Sequence, residues 1–344
     1  MYPSFTLVST VFNEKNRLEQ TIAELRAQTV QPAEIIITDA GSTDGTYEML
    51  LNWKAGSAIP VTILLQPRCN VAQGRNLAIR HAHYPLIVST DFGCRFAEGW
   101  LAALVAPFVD PAVKVVGGAF GVLEADIDTL PAKAAYILSD GYAVDVQVSW
   151  FIPSSRSIAY YKEVFDKVGG YPEWLTLAAD DLVFGQELLA LGYKFYPSVY
   201  KGVFWGRHKK AAGYIKEAFR YGLGSGEARV NRQNFLSNLI ELILRYIFMV
   251  TLLVITPLVL AGPLPVYCLL LLIIGLPGLR SYINYTRSWW RLKSNKYNFR
   301  VFLYGIWLLE RTRISYIRGY IKGYFYSTEL QKKAAIELKQ RLAA

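Results

Sequence analysis

Cysteine is scarce in this chain: Cys69, Cys94 and Cys268 are the only three in 344 residues, and none forms a CxxC pair. An odd, scattered set argues against a disulfide framework or a thiolate zinc site, and a reducing, cytoplasmic compartment is expected. Charge is scarce too, at 19% of residues against 53% hydrophobic, which excludes a disordered chain. The deficit is local. No charged side chain occurs from Tyr246 to Leu279, a run of 34 residues. As one helix such a run would reach about 51 Å, well beyond a bilayer core of about 30 Å. Also missing are GxGxxG and GxxxxGK[ST] after the first apolar segment, which argues against dehydrogenase and P-loop chemistry. No basic stretch precedes that segment, so a signal peptide is not expected.

Within the charge-free run, Gly262, Pro263 and Pro265 would break a helix. A helical hairpin is therefore expected, with a first arm from about Leu239, a GPLP turn in or beyond the membrane, and both ends cytoplasmic. The second arm, Val266 to Leu279, has only 14 residues. That is short for a full crossing, so a re-entrant or interfacial hairpin competes with a spanning one, and a buried soluble hairpin is the bland alternative. The net charge of +10 concentrates beside this run, at Arg229, Arg232 and Arg245 before it and Arg280, Arg287, Arg291, Lys293, Lys296 and Arg300 after it. That placement fits a cytoplasmic membrane flank better than nucleic-acid binding. Glu241 and Arg245 are spaced to pair on one helix face. Residues 299 to 326 mix aromatics with Arg311, Arg313, Arg318 and Lys322, which fits an amphipathic helix lying among lipid headgroups. The preceding stretch, 209 to 232, is basic and interrupted by Gly222, Gly224 and Gly226, and it reads as a surface strip able to gather anionic headgroups.

The front half alternates short β-branched apolar runs with helical spacing. FTLVSTVF at 5 to 12 precedes a helix over 15 to 28, and EIIITD at 34 to 39 precedes TYEMLLNWK. VTILLQ at 61 to 66 precedes QGRNLAIRHA, and PLIVSTD at 85 to 91 precedes AEGWLAALVAPF. This alternation predicts an α/β domain with a doubly wound, mainly parallel sheet whose ligands bind at the carboxyl ends of the strands. Those ends carry Asn13 and Glu14, then Asp39 with AGSTDGT, then Asp91. Carboxylates converging there suit recognition of a base or hydroxyls, or of a divalent cation that neutralises phosphate. Singly, Glu14 reads equally well as a first-turn helix acid, and AGSTDGT as turn and cap chemistry.

These blocks, together with VVGG at 115 to 118, SSRSIAYYKEVFDKVGGYPEWL at 154 to 175 and DDLVFGQELLALGYK at 180 to 194, resemble family 2 glycosyltransferases of the GT-A fold over about residues 4 to 230. The resemblance implies a Rossmann-like mixed sheet flanked by helices. It implies a nucleotide-diphosphate sugar donor, with Glu14 and Asp39 on the nucleobase, Asp91 in the DxD-type motif beside the diphosphate, and Arg75 and Asn76 on a helix lining the pocket. In the acidic pair Asp180 and Asp181, the second residue would be the catalytic base and the first its orienting partner. The implied cofactor is Mg²⁺ or Mn²⁺.

Two departures qualify this. The motif reads Asp91, Phe92, Gly93, so its second acid is absent. Either His208, in WGRHKK, completes a metal site with Asp91, or cationic side chains neutralise the diphosphate instead. Ala40 stands where many relatives have a further acid. The expected organisation is a catalytic domain over 1 to 230, a membrane-associated helical hairpin over 231 to 284, and a basic, aromatic amphipathic region over 285 to 344. The expected function is inverting transfer to a lipid-linked or membrane-proximal acceptor, with the catalytic domain on the cytoplasmic face. A noncatalytic membrane-bound nucleotide-sugar binder and a sugar nucleotidyltransferase are the alternatives. A processive polysaccharide synthase is disfavoured by the absence of QxxRW.

Overall fold

The computed structural model describes residues 3–142, 146–148, 151–259 and 278–343. They divide into two compact units. The first comprises 1–126, 143–207 and 327–344, and the second 127–142 and 208–326.

The first unit is built on one sheet of order β3-β2-β1-β4-β7-β6-β8-β5. Strands β1 (Phe5–Val11), β2 (Glu34–Asp39), β3 (Val61–Leu65) and β4 (Leu86–Asp91) run parallel to their neighbours, as the alternating sequence pattern predicts. Beyond β4 the sheet becomes mixed. β7 (Ile158–Tyr161) is antiparallel to both β4 and β6 (Val115–Gly121), while β8 (Phe195–Trp205) runs parallel to β6 and pairs antiparallel with β5 (Cys94–Phe96). Helices α1 (Lys15–Arg26), α2 (Thr46–Ala55), α3 (Val71–Arg80) and α4 (Trp100–Val105) follow the first strands. Leu7, Ile35, Ile37 and Val88 face one apolar layer and Val8, Ile36 and Ile87 the other, so each central strand is buried on both faces. α3 begins with a capping box: Asn70 Oδ1 accepts from the Gln73 N–H, and Gln73 Oε1 accepts from the Asn70 N–H. The Asn70 amide also donates to the carbonyls of Glu173 and Leu175, at 2.8 and 2.7 Å, which ties the α3 start to the GGYPEWL loop. After α6 (Lys162–Val168), that loop leads into α7 (Asp180–Ala190).

The second unit is helical, with α5 (Leu130–Leu138), α8 (Ala211–Glu227), α9 (Arg232–Val259), α10 (Arg280–Leu292) and α11 (Phe299–Phe325). Here the structure corrects the reading of the glycine-interrupted strip. Gly222, Gly224 and Gly226 lie inside one continuous helix, α8, and α11 packs along it. A Cβ at Gly222 would come within 2.1 Å of the Tyr316 carbonyl oxygen, and one at Gly226 within 2.3 Å of that of Tyr320. From the other side, Gly319 and Gly323 meet the carbonyls of Phe219 and Leu223 at 2.2 Å each. The glycines are thus contact points for two helix backbones, spaced four apart on each helix, rather than breaks.

The expected hairpin is met only in part. Its first arm falls in α9, whereas the GPLP turn and nearly all of the second arm lie outside the described residues. Among the described residues no helix is long and apolar enough to cross a membrane. The pair Glu241–Arg245 forms as expected, at 2.6 Å, but inside the unit: Arg245 is 1% exposed and also meets Glu310, while Arg313 pairs with Glu241 at 2.7 Å. Residues 285 to 344 do not stay together as one region. The last helix, α12 (Glu329–Ala343), belongs to the first unit, where Arg341 Nε donates to Glu187 on α7 at 2.8 Å and Gln331 donates to the Trp174 carbonyl at 3.0 Å.

Candidate active site

The carboxyl ends of β1, β2 and β4 open onto a cavity of about 380 Å³ whose lining includes Thr10, Phe12, Ala40, Arg68, Asn70 and Asp91. Asp39 closes β2 beside it and is fully buried. Its Oδ1 accepts from the Gly41 and Ser42 N–H groups, at 2.7 and 2.6 Å, which fixes the carboxylate. Its Oδ2 is buried and has no hydrogen-bond partner among the described residues. Such an oxygen is costly unless something donates to it. Cys69, which lines the cavity, has its thiol pushed up by burial and by the charge of Asp39.

Glu14 is held at the start of α1 by its N–H, which donates to Thr46 Oγ1 at 2.9 Å. Its carboxylate lies against Gly93 rather than in the cavity lining: a Cβ at position 93 would sit 2.9 Å from Glu14 Oε1. Gly93 has φ +108, a backbone region that side chains avoid. Glycine at position 93, where the resemblance would put a second acid, is therefore imposed twice, by backbone geometry and by the space Glu14 fills. Burial raises the Glu14 carboxyl, Arg17 pulls it back, and Asp44 adds to the rise.

Arg75 is the hub of the site. It projects from α3, is 1% exposed, and donates from Nη2 to Asp91 Oδ1 at 2.7 Å and from Nη1 to Asp180 Oδ2 at 2.6 Å. Its guanidinium also lies 4.8 Å from the Tyr171 ring centre. Burial alone would lower its proton affinity, but Asp91 and Asp180 outweigh that and hold it charged. One buried cation thus connects the end of β4 to the first turn of α7. Its neighbour Asn76 does not reach the cavity. Its Nδ2 donates to the Tyr171 carbonyl at 2.9 Å and to Glu173 Oε1 at 2.8 Å, and its Oδ1 accepts from the Tyr171 N–H at 2.9 Å. Two residues adjacent on a helix point about 100° apart, so the sequence block QGRN places Arg75 on the chemistry and Asn76 on the loop behind it.

Asp181 follows Asp180 at the start of α7, after Ala179 in a left-handed conformation at φ +71. Its Oδ1 accepts from the Leu182 N–H at 2.9 Å and its Oδ2 from Ser154 Oγ at 3.2 Å. Burial pushes its carboxyl up, the Asp180 charge adds to this, and Arg156 and Arg75 oppose it. A carboxylate with raised proton affinity, held in place by two donors, is suited to act as a general base.

Three residues not singled out from the sequence complete the arrangement. Arg156, two residues before β7, has Nε 3.6 Å from Asp91 Oδ2 and stacks 4.1 Å from the Trp205 ring centre. Arg207 lies 4.5 Å from the same ring. Trp205 therefore carries two guanidinium groups at the end of β8, in the part of the site where the sequence left open a cationic substitute for metal. The signal was present, in the Arg of SSRS and the WGR triplet, but nothing in the spacing shows that they meet on one indole. His208 lies in the second unit, edge-on to Tyr214 at 5.1 Å and 3.5 Å from Glu217 Oε2. No group of three His, Cys, Asp or Glu side chains suited to a metal ion occurs among the described residues.

Residues 6–169 match the family profile described as glycosyl transferase family 2. Among curated proteins, the chain is 25% identical over 203 residues to the O-antigen chain rhamnosyltransferase WbaN of Salmonella anatum, covering 56% of this chain and 62% of that protein. It is also 25% identical over 225 residues to the validoxylamine A glucosyltransferase of Streptomyces hygroscopicus subsp. limoneus, covering 56% and 48%. The chain thus spans between about half and three-fifths of the length of these relatives. Among solved structures, the mannosyltransferase PcManGT from Pyrobaculum calidifontis, in complex with GDP-Man and Mn²⁺, is similar in fold, with a TM-score of 0.57 at 17% identity, covering 95% of this chain and 89% of that one.

Proposed function

Since this chain is a family 2 glycosyltransferase by its 6–169 domain, we propose that it transfers a sugar, with inversion, from a nucleotide-diphosphate sugar to a lipid-linked or membrane-proximal acceptor. The observation that carries this is the continuous chain of contacts from the cavity at Asp91, through buried Arg75, to Asp180 beside Asp181. It joins a pocket suited to a nucleotide with a carboxylate suited to a proton.

In this reading the base or ribose of the donor gives a hydrogen bond to the unpartnered Oδ2 of Asp39. The diphosphate lies near Asp91, with Arg156 supplying positive charge. The acceptor oxygen attacks the anomeric carbon from the face opposite the leaving diphosphate, the bond to that diphosphate breaks, and Asp181 takes the acceptor's hydroxyl proton. Asp180, fixed by Arg75, orients the α7 start and raises the proton affinity of its neighbour. A lipid phosphate acceptor, already ionised, would not need that proton transfer.

The donor set fits a divalent cation sparingly. Mg²⁺ is commonly held by one or two carboxylates with phosphate and water as its other ligands, and Asp91 is the carboxylate here that would hold it. The cation would neutralise charge developing on the leaving diphosphate. The mannosyltransferase with GDP-Man and Mn²⁺ supports such a cofactor, and the O-antigen rhamnosyltransferase supports a lipid-linked acceptor. Membrane attachment through the charge-free run, with the first unit on the cytoplasmic face, belongs to the same proposal.

The experiment that tests the reading is a screen of nucleotide sugars for binding and hydrolysis by the detergent-purified chain. One donor bound and slowly hydrolysed supports it, and no binding to any nucleotide sugar overturns it.

A further inference from the structure

The second unit contains a cleft of about 540 Å³ between α5, α10 and α11, with no counterpart in the reaction described above. Three guanidinium groups line it, from Arg287 and Arg291 on α10 and Arg313 on α11, with the hydroxyl of Ser288 and the amide of Asn284. The acids nearby are already committed. Asp140 pairs with Arg291 and accepts from Ser288 Oγ at 2.6 Å, and Glu241 pairs with both Arg245 and Arg313. Arg287 is exposed and has no ion-pair partner among the described residues. No Asp or Glu occurs between Arg280 and Asn298, although Arg280, Arg287, Arg291, Lys293 and Lys296 all do. The cleft therefore presents fork-shaped donors and a surplus of positive charge, on elements held rigid by the buried Glu241–Arg245 network.

That chemistry matches a phosphoryl group, whose oxygens accept from guanidinium forks in pairs. The surroundings suggest where the group is carried. Trp290, Phe299 and Trp307, on α10 and α11, are 63%, 61% and 45% exposed. Exposed indoles beside Arg and Lys are the composition of a segment lying at a membrane interface. We propose that this cleft binds a phosphoryl group, carried by an anionic lipid headgroup or by a soluble pyrophosphate. The inference stands apart from the donor-site reading, because none of its residues lies in the first unit.

The test uses the full chain and two probes: phosphatidylcholine vesicles with and without phosphatidic acid, read by co-sedimentation, and inorganic pyrophosphate, read by tryptophan fluorescence. Arg287→Glu removes one positive charge and adds one negative at an exposed position, so folding should survive, which an unchanged thermal midpoint checks. At about 1 kcal/mol per charge near an anionic surface, phosphatidic-acid vesicle binding should fall about thirtyfold. Lys201→Glu, on exposed β8 of the first unit, makes the same change in net charge and should leave binding near wild type. Loss for both probes in Arg287→Glu supports a site for the phosphoryl group itself, and loss for vesicles with no pyrophosphate binding by the wild type supports a headgroup held at the bilayer. The proposal is overturned if neither probe binds the wild type, if Arg287→Glu binds within about twofold of it, or if Lys201→Glu loses as much.

Discussion

Arg75→Met removes the one charge that holds the two ends of the candidate active site together. Arg75 is 1% exposed, whereas its partners Asp91 and Asp180 are 25% and 15% exposed, so water reaches the acids more readily than the base. Removing one partner of a buried pair costs about 3 to 5 kcal/mol. Partial hydration of the abandoned acids puts this case at the lower end, about 3 kcal/mol, or about 6 to 12 °C of melting temperature for a unit of this size. The loss must also depend on pH, and the sign follows from Asp181. Burial and Asp180 raise that carboxyl in the native state while Arg156 and Arg75 hold it down. A raised carboxyl binds its proton more tightly folded than unfolded, so its contribution to stability falls as pH rises through the window between the two values. Without Arg75 the folded value climbs further and the window widens upward. The deficit of Arg75→Met relative to wild type should therefore be larger at about pH 8 than at about pH 5. Differential scanning fluorimetry at both pH values checks this. A melting-temperature loss below about 3 °C, or one independent of pH, would refute the assignment of Arg75 as the electrostatic hub.

Asp39→Ala should weaken binding of the best nucleotide by about 1 to 3 kcal/mol, read by calorimetry, because it deletes the buried oxygen that awaits a donor; unchanged affinity would disconnect Asp39 from the pocket. Gly319→Ala should destabilise the second unit by about 1 to 3 kcal/mol, since the added methyl meets a carbonyl of α8 that has no rotamer to escape into, and denaturant unfolding that matches wild type would contradict the close contact. The chain should fractionate with membranes, and protease should cleave residues 1 to 230 only from the cytoplasmic side; protection of that region from a cytoplasmic protease would reverse the proposed orientation.

The parts of the fold legible in the sequence were those set by local rules. EIIITD is β2 to the residue, and FTLVSTVF overshoots β1 by one, because uninterrupted β-branched runs bounded by polar turns leave little choice in a two-faced sheet. The mixed half of the sheet was less visible, since β7 and β8 pair with strands far away in sequence. Gly222, Gly224 and Gly226 misled because a glycine's usual cost in a helix says nothing about a partner helix that needs the missing Cβ. In the site, the acids at strand ends were legible by position, and Asp181 by its place in a motif. Arg156, Trp205 and Arg207 were not, because a stack of two guanidinium groups on an indole is assembled from β7 and β8 only once the sheet has formed. The resemblance puts Asn76 with Arg75 on the pocket, whereas one helical step turns it toward Tyr171.

The central claim is that Asp181 accepts the proton of a sugar acceptor. Its most direct test is transfer by Asp181→Asn compared with wild type, on a hydroxyl acceptor, with donor binding confirmed for both. The amide keeps the shape, its oxygen can accept from the Leu182 N–H and its Nδ2 can donate to the Ser154 hydroxyl oxygen, so the fold and donor affinity should survive. Transfer should fall by about two or more orders of magnitude, and the wild-type rate should rise with pH through the raised value of Asp181, where the base loses its proton. Near wild-type transfer by Asp181→Asn, with donor bound, would contradict the account and move the search for the base to Asp180.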